Sequence, residues 1–109
     1  MKISEAVKAL SLEVLSMPSP DREINGGYVG DLLSWVMGRA EADNVWITIM
    51  TNINVLAVAS LSDVSAVVIA EGAEISDEII EKAKEQGINL LRSPLPAYET
   101  ALAFGKLIS

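Results

Sequence analysis

Three apolar runs in the second half of the chain each hand over to a polar or glycine-containing junction. Val45–Met50 leads into Thr51-Asn52-Ile53-Asn54, Ala66–Ala70 into Glu71-Gly72-Ala73-Glu74, and Ile88–Arg92 into Ser93-Pro94-Leu95-Pro96. Segments of helical length lie between them. Runs of this kind, rich in Val and Ile, read as strands buried on both faces. Strand–helix–strand order predicts a parallel sheet, and a parallel sheet gathers its strand-to-helix junctions on one edge. That edge is the default ligand site of such a fold.

The remaining pattern fits the same plan. Ser4 predicts the cap of a helix over Glu5–Leu10, with Val7 and Leu10 on one face. Ser11–Ser16 reads as a strand; Pro18 and Pro20 break regular structure, and Asp21–Asn25 forms a polar loop. Gly26–Gly30 reads as an extended segment with a tight bend. Asp31 is placed to cap a helix ending at about Gly38, with Leu32, Leu33, Val36 and Met37 as its apolar face. Ala42–Asn44 is a turn. Asn54–Leu61 is nearly all apolar, which predicts a helix covered by the sheet on one side and by a second subunit on the other. Ser76, with Asp77 and Glu78 behind it, opens a helix that ends at Gly87. Asn89–Arg92 is the last strand, and Pro96 opens a final helix to Leu107. No repeat or linker interrupts the chain, so one domain over residues 1–109 is expected: α/β, as a three-layer α/β/α sandwich with a mostly parallel sheet.

Composition narrows the chemistry. Half of the 109 residues are hydrophobic and only one is Phe, so the core must be aliphatic. The formal net charge of −7 speaks against nucleic acid and against an anionic membrane surface as partners. Lys82 and Lys84, the one basic cluster, are flanked by Glu78, Glu81 and Glu85. With no Cys and no His, the chain offers no disulfide, zinc-finger or iron–sulfur site, and acid–base work would fall to Asp, Glu, Lys or Tyr. Glu71 and Glu74 lie around a loop and form no convincing dyad, and no converging carboxylates announce Mg²⁺, so neither metal nor cofactor is expected. Met1–Glu5 has no basic start followed by an apolar run, and no stretch approaches ~18 apolar residues; a cytoplasmic location is expected by elimination.

The candidate ligand groups sit at the junctions. Thr51, Asn52 and Asn54 open a helix after a buried strand; they could hold a polar or anionic ligand, or simply cap the helix. Glu71 could take a ribose hydroxyl, with Gly72 beside it, or stand in solvent. Ser93 and Tyr98 flank the last junction, where Tyr98 could stack on a base, close a dimer surface or pack its ring in the core. Gly26, Gly27 and Gly30 match neither the Walker loop nor the dinucleotide fingerprint and read as a bend. Gly105-Lys106 follows no glycine-rich strand exit. Trp35 and Trp46 are expected in the core or an interface.

Three stretches carry a family resemblance: Gly27-Tyr28-Val29-Gly30-Asp31-Leu32-Leu33-Ser34 with Val36-Met37; Trp46 through Ser60; and Leu91-Arg92-Ser93-Pro94 with Tyr98-Glu99-Thr100-Ala101. In these the chain resembles stand-alone members of the DRTGG domain family. The resemblance implies a fold like the non-catalytic N-terminal domain of HPr kinase/phosphorylase. Related domains stand beside CBS domains, in regulated pyrophosphatases and in phosphotransacetylases, as regulatory or dimer-forming modules. Small free-standing members resemble proteins encoded near iron-hydrogenase and sensor-kinase components of anaerobic bacteria. The Asp-Arg of the family name aligns with Thr51-Asn52, and its Thr-Gly-Gly with Ala70-Glu71-Gly72; the literal Asp21-Arg22 lies in an earlier loop. The chain thus keeps Gly72 and lacks the Arg, the natural bidentate partner of a phosphate.

Two functions remain open from this reading, and an independent enzyme is the least supported third. The first is a non-enzymatic regulatory or scaffolding domain, homodimeric, acting with protein partners in signalling or hydrogenase-linked redox metabolism. The second is a sensor of a nucleotide or phosphorylated metabolite at the strand-end edge.

Overall fold

The computed structural model describes residues 1–109. Five strands, β1 (Glu13–Ser16), β2 (Gly26–Val29), β3 (Asn44–Thr48), β4 (Ala66–Ile69) and β5 (Leu90–Arg92), form one sheet in the order β1-β5-β4-β3-β2. The pairs β2–β3, β3–β4 and β4–β5 are parallel, whereas β1 lies antiparallel on β5. The mostly parallel sheet and the helices on both its faces are as the sequence pattern predicts.

Alternation along the buried strands builds two cores. Trp46, Val67, Ile69 and Leu90 point to the face covered by α2 (Leu33–Arg39), α3 (Asn54–Ser62) and α4 (Asp77–Glu85). Val45, Ile47, Ala66, Val68 and Leu91 point to the face covered by α1 (Ile3–Leu10) and α5 (Ala97–Ile108). Because side chains alternate faces with a period of two, continuously apolar strands are what a sheet covered on both sides requires. No helix is long and apolar enough to cross a membrane.

The chain reaches β2 from the far edge of the sheet, and the loop it uses is tied down. β1 runs toward the end of the sheet where the parallel strands begin, and residues 17–25 cross along that end. Asn89 accepts from the Ser19 N–H at 3.0 Å and donates to the Ser19 and Ser65 carbonyls. Arg22 pairs with Asp43 and Asp63 at 3.0 and 2.8 Å. Partial burial opposes the Arg22 charge, but the bonds to Asp43 and Asp63 outweigh it and push its pKa up. Asp21-Arg22 therefore belongs to the clamp opposite the strand-to-helix junctions.

Several boundaries differ from expectation. α1 starts at Ile3, with Lys2 at the N-cap position and the Lys2 N–H donating to Glu5. Ser4 is already helical, because its N–H and that of Ile3 donate to the Pro20 and Arg22 carbonyls. Ile3 and Ala6 are the fully buried residues of this helix, with Val7 and Leu10 packed at their margin. Ser11 adopts a left-handed conformation that ends α1, so β1 begins only at Glu13. Asn44 starts β3 rather than closing the turn before it, and β3 ends at Thr48. β4 likewise ends at Ile69, and α3 extends to Ser62.

Candidate functional site

The four parallel strands deliver their exits to one edge, as the pattern predicts. Asp31 follows β2; Thr51, Asn52 and Asn54 follow β3; Glu71 and Gly72 follow β4; Ser93 follows β5, with Tyr98 in the first turn of α5. Two groups of hydrogen bonds lace this edge from within.

The first ties the exits of β2 and β3. Asp31 does not cap α2, whose N-cap position is held by Leu32. Its carboxylate instead accepts from the Thr48 hydroxyl at 2.7 Å and from the Ile49 N–H at 3.0 Å. The parallel pairing of β2 with β3 brings these groups together. Thr48 also accepts from the Met50 N–H, and the Trp46 indole N–H donates to the Gly30 carbonyl at 2.8 Å.

The second ties the exits of β4 and β5. Glu71 and Gly72 both have positive φ, and the Ala73 N–H closes a turn onto the Ala70 carbonyl. Two left-handed residues in succession make a type I′ turn, in which glycine is at ease and glutamate is not. The Glu71 and Gly72 N–H groups donate to the Leu95 and Ser93 carbonyls, both at 2.8 Å. Ser93 is buried; its hydroxyl shares a 2.9 Å bond with Thr100 and accepts from the Leu95 N–H.

The predicted residues thus share an edge but divide by environment. Asn52 and Asn54 are exposed, and the Asn52 side chain accepts from the Asn54 N–H within its own turn. The Gly72 N–H and the Ser93 hydroxyl are engaged inside the fold. Tyr98 is exposed on α5. Trp46 is buried, whereas Trp35 lies outside with the Arg39 guanidinium 3.8 Å above its ring.

One cavity touches this set, at Gly72. It measures about 400 Å³ and is lined by Ser11, Glu13, Gly72, Glu74, Arg92 and Pro94. Arg92 escaped the sequence reading; its signal was a cation closing a buried strand beside the junction. It makes a two-pronged bond to Glu13, 3.0 Å from Nε and 2.8 Å from Nη2, and Nη1 donates to the Ala73 carbonyl. The hydrogen bond from Arg92 draws the Glu13 carboxyl below its usual range, and Glu13 pushes the Arg92 guanidinium up. An anion entering here would have to displace Glu13 and face Glu74. No group of three or more His, Cys, Asp or Glu converges in the molecule.

The same edge carries exposed apolar side chains. Val29, Leu32, Ile49 and Ile53 stand at the ends of β2 and β3 and at the starts of α2 and α3. Exposed apolar side chains gathered in this way mark contact surfaces or ligand grooves.

Fold and edge define the class: a three-layer α/β domain whose mostly parallel sheet is closed on one side by an antiparallel strand. Within that class the chain belongs to the DRTGG domain family, whose model matches residues 5–107. A similar solved structure is that of the CBS and DRTGG domains of the regulatory region of Clostridium perfringens pyrophosphatase, complexed with its activator diadenosine tetraphosphate. It aligns with a TM-score of 0.74 at 17% identity, over 98% of this chain and 46% of that one, so the chain spans about half the length of that structure. A comparison with curated proteins finds no match.

Proposed function

We propose that the chain is a non-catalytic regulatory or scaffolding module that works as a homodimer and engages protein partners, in bacterial signalling or hydrogenase-linked redox metabolism. One observation carries the reading: several polar groups of the junction edge are engaged within the fold, while four large apolar side chains face solvent beside the exposed Asn52, Asn54 and Glu71. Thr48, Ser93 and the Glu71 and Gly72 N–H groups are spent on internal bonds, while Val29, Leu32, Ile49 and Ile53 face solvent. Such an edge suits a protein contact. The signalling and hydrogenase setting rests on the resemblance to free-standing family members.

A second reading has its own support. The pyrophosphatase regulatory region is complexed with a dinucleoside polyphosphate, and Arg92 stands beside Gly72 in a polar cavity. On that reading a nucleotide or phosphorylated metabolite displaces Glu13 from Arg92, with Thr51, Asn52, Glu71 and Gly72 along the same edge.

A thermal-shift titration with diadenosine tetraphosphate, ATP and GTP separates the two. Ligand at ~100 times its dissociation constant stabilises a fold by ~2.7 kcal/mol, several degrees for a domain of this size. The regulatory reading expects no shift with the wild type or with Glu13→Gln. A saturable shift that strengthens in Glu13→Gln and vanishes in Arg92→Gln would replace it with the sensor. Phosphate transfer from ATP to HPr by the pure protein would overturn both.

A further inference from the structure

The two edges of the sheet are unlike each other. β1 is protected in the usual ways: a charged residue at Glu13, a register irregularity between Val14 and Ser16, and Pro18 and Pro20 directly after it. β2 has none of these. Its sequence is Gly26-Gly27-Tyr28-Val29, it pairs only with β3, and no other segment supplies a hydrogen bond to these four residues. In an edge strand, alternate residues aim their N–H and C=O groups away from the sheet.

A cavity of about 210 Å³ flanks this edge on the α5 side, lined by Gly27, Val29, Val45, Ile47, Phe104 and Ile108, among others. None of its lining residues is charged, in a chain of net charge −7. Gly27 leaves it open by having no side chain; a Cβ there would stand in tight contact with Val45, 3.2 Å from its Cγ2. Val29, two residues on and on the same face, is 51% exposed.

We propose that β2 is a self-association edge: two copies pair their β2 strands antiparallel about a two-fold axis through Tyr28, making one continuous sheet. This rests on the homodimer reading above and assigns it a surface. An antiparallel pair about a two-fold presents the same backbone groups from both sides, so the edge is its own complement. Side chains of directly opposed residues share a face, which places Val29 of each copy opposite Gly27 of the other, beside the apolar cavity. The uncharged strip lets two acidic chains meet without opposing carboxylates. α3, where the sequence suggested a covering subunit, presents Asn54, Ala57, Ser60 and Leu61 outward, a mixed surface with one large apolar side chain.

The test is light scattering with sedimentation on the wild type, Val29→Lys and two single-cysteine variants of this cysteine-free chain. Val29 is half exposed, so Val29→Lys should keep the wild-type circular dichroism. The expected result is a dimeric wild type, a folded monomeric Val29→Lys, and oxidative cross-linking of Tyr28→Cys but not of Ser60→Cys on the outer face of α3. A dimeric wild type with a Val29→Lys variant that remains dimeric, or with cross-linking of Ser60→Cys and not of Tyr28→Cys, overturns the β2 surface and leaves the homodimer standing. A wild type that stays monomeric at several hundred micromolar overturns both, and with them a second copy as the occupant of this edge.

Discussion

Asp31 shows how a residue with an obvious local role can take a distant one. An Asp ahead of an amphipathic stretch satisfies every rule for a helix cap, yet its carboxylate reaches the Thr48 hydroxyl and the Ile49 N–H across the parallel pair. Asp31→Ala is expected to cost about 1–2 kcal/mol, because buried Thr48 loses its acceptor. The urea midpoint should fall with the m-value unchanged. Asp31→Ser separates the two roles: serine caps helices as well as aspartate does, but is too short for this reach, so its loss should resemble that of alanine. The spacing along the chain could not reveal this role, since Thr48 is adjacent only after β2 and β3 have paired. Positions 71 and 72 offer a test of opposite signs. A Cβ at Gly72 meets nothing closer than 3.8 Å, but its φ is +59°. Gly72→Ala should therefore lose about 1 kcal/mol from backbone strain alone, and Glu71→Gly, at φ 63°, should be neutral to stabilising by up to about 1 kcal/mol. Thermal denaturation of both variants checks the pair.

Among the elements, the buried parallel strands were the most legible, because burial on both faces leaves them continuously apolar and their ends polar. β1 was legible as a strand but not in direction: its antiparallel pairing with β5 follows from the loop that carries the chain across the sheet. α3 was legible as an apolar helix, but the pattern overstated its outer face, since exposed Ala57 counts as apolar while offering only a methyl group, and Leu61 is the one large apolar side chain there. The Glu13–Arg92 pair joins the two strands at the candidate cavity and gives them a pH signature. Arg92 holds the folded Glu13 carboxyl below the ordinary value of 4.5. The pair's contribution is thus fully present above that value and is lost as pH falls through the lowered folded value. Melting temperatures of wild type and Glu13→Gln should differ at neutral pH and converge in acid below about 4.5. Added salt should narrow the neutral-pH gap, because the pair is exposed.

At the scale of the whole molecule, the chain combines a small aliphatic core, a strongly acidic surface and an uncharged open edge. A domain of this size hides roughly two-thirds of its unfolded surface, so an interface that covers apolar residues adds appreciably to its stability. If native copies associate and unfolded ones do not, mass action ties the melting temperature to concentration. Raising the protein from well below to ~100-fold above the dimer dissociation constant should therefore raise the melting temperature of the wild type by several degrees. Val29→Lys should melt at one temperature throughout that range. Salt supplies the second axis. Two chains of formal charge −7 repel each other at long range, and that repulsion is screened as the Debye length falls from ~10 Å at 0.1 M to ~3 Å at 1 M. An interface of backbone hydrogen bonds and apolar side chains has no ion pairs to lose, so dimerisation should strengthen with sodium chloride. An association that weakened with salt would instead place charged side chains at the contact and direct the search away from β2, toward the charged faces of α1 and α4.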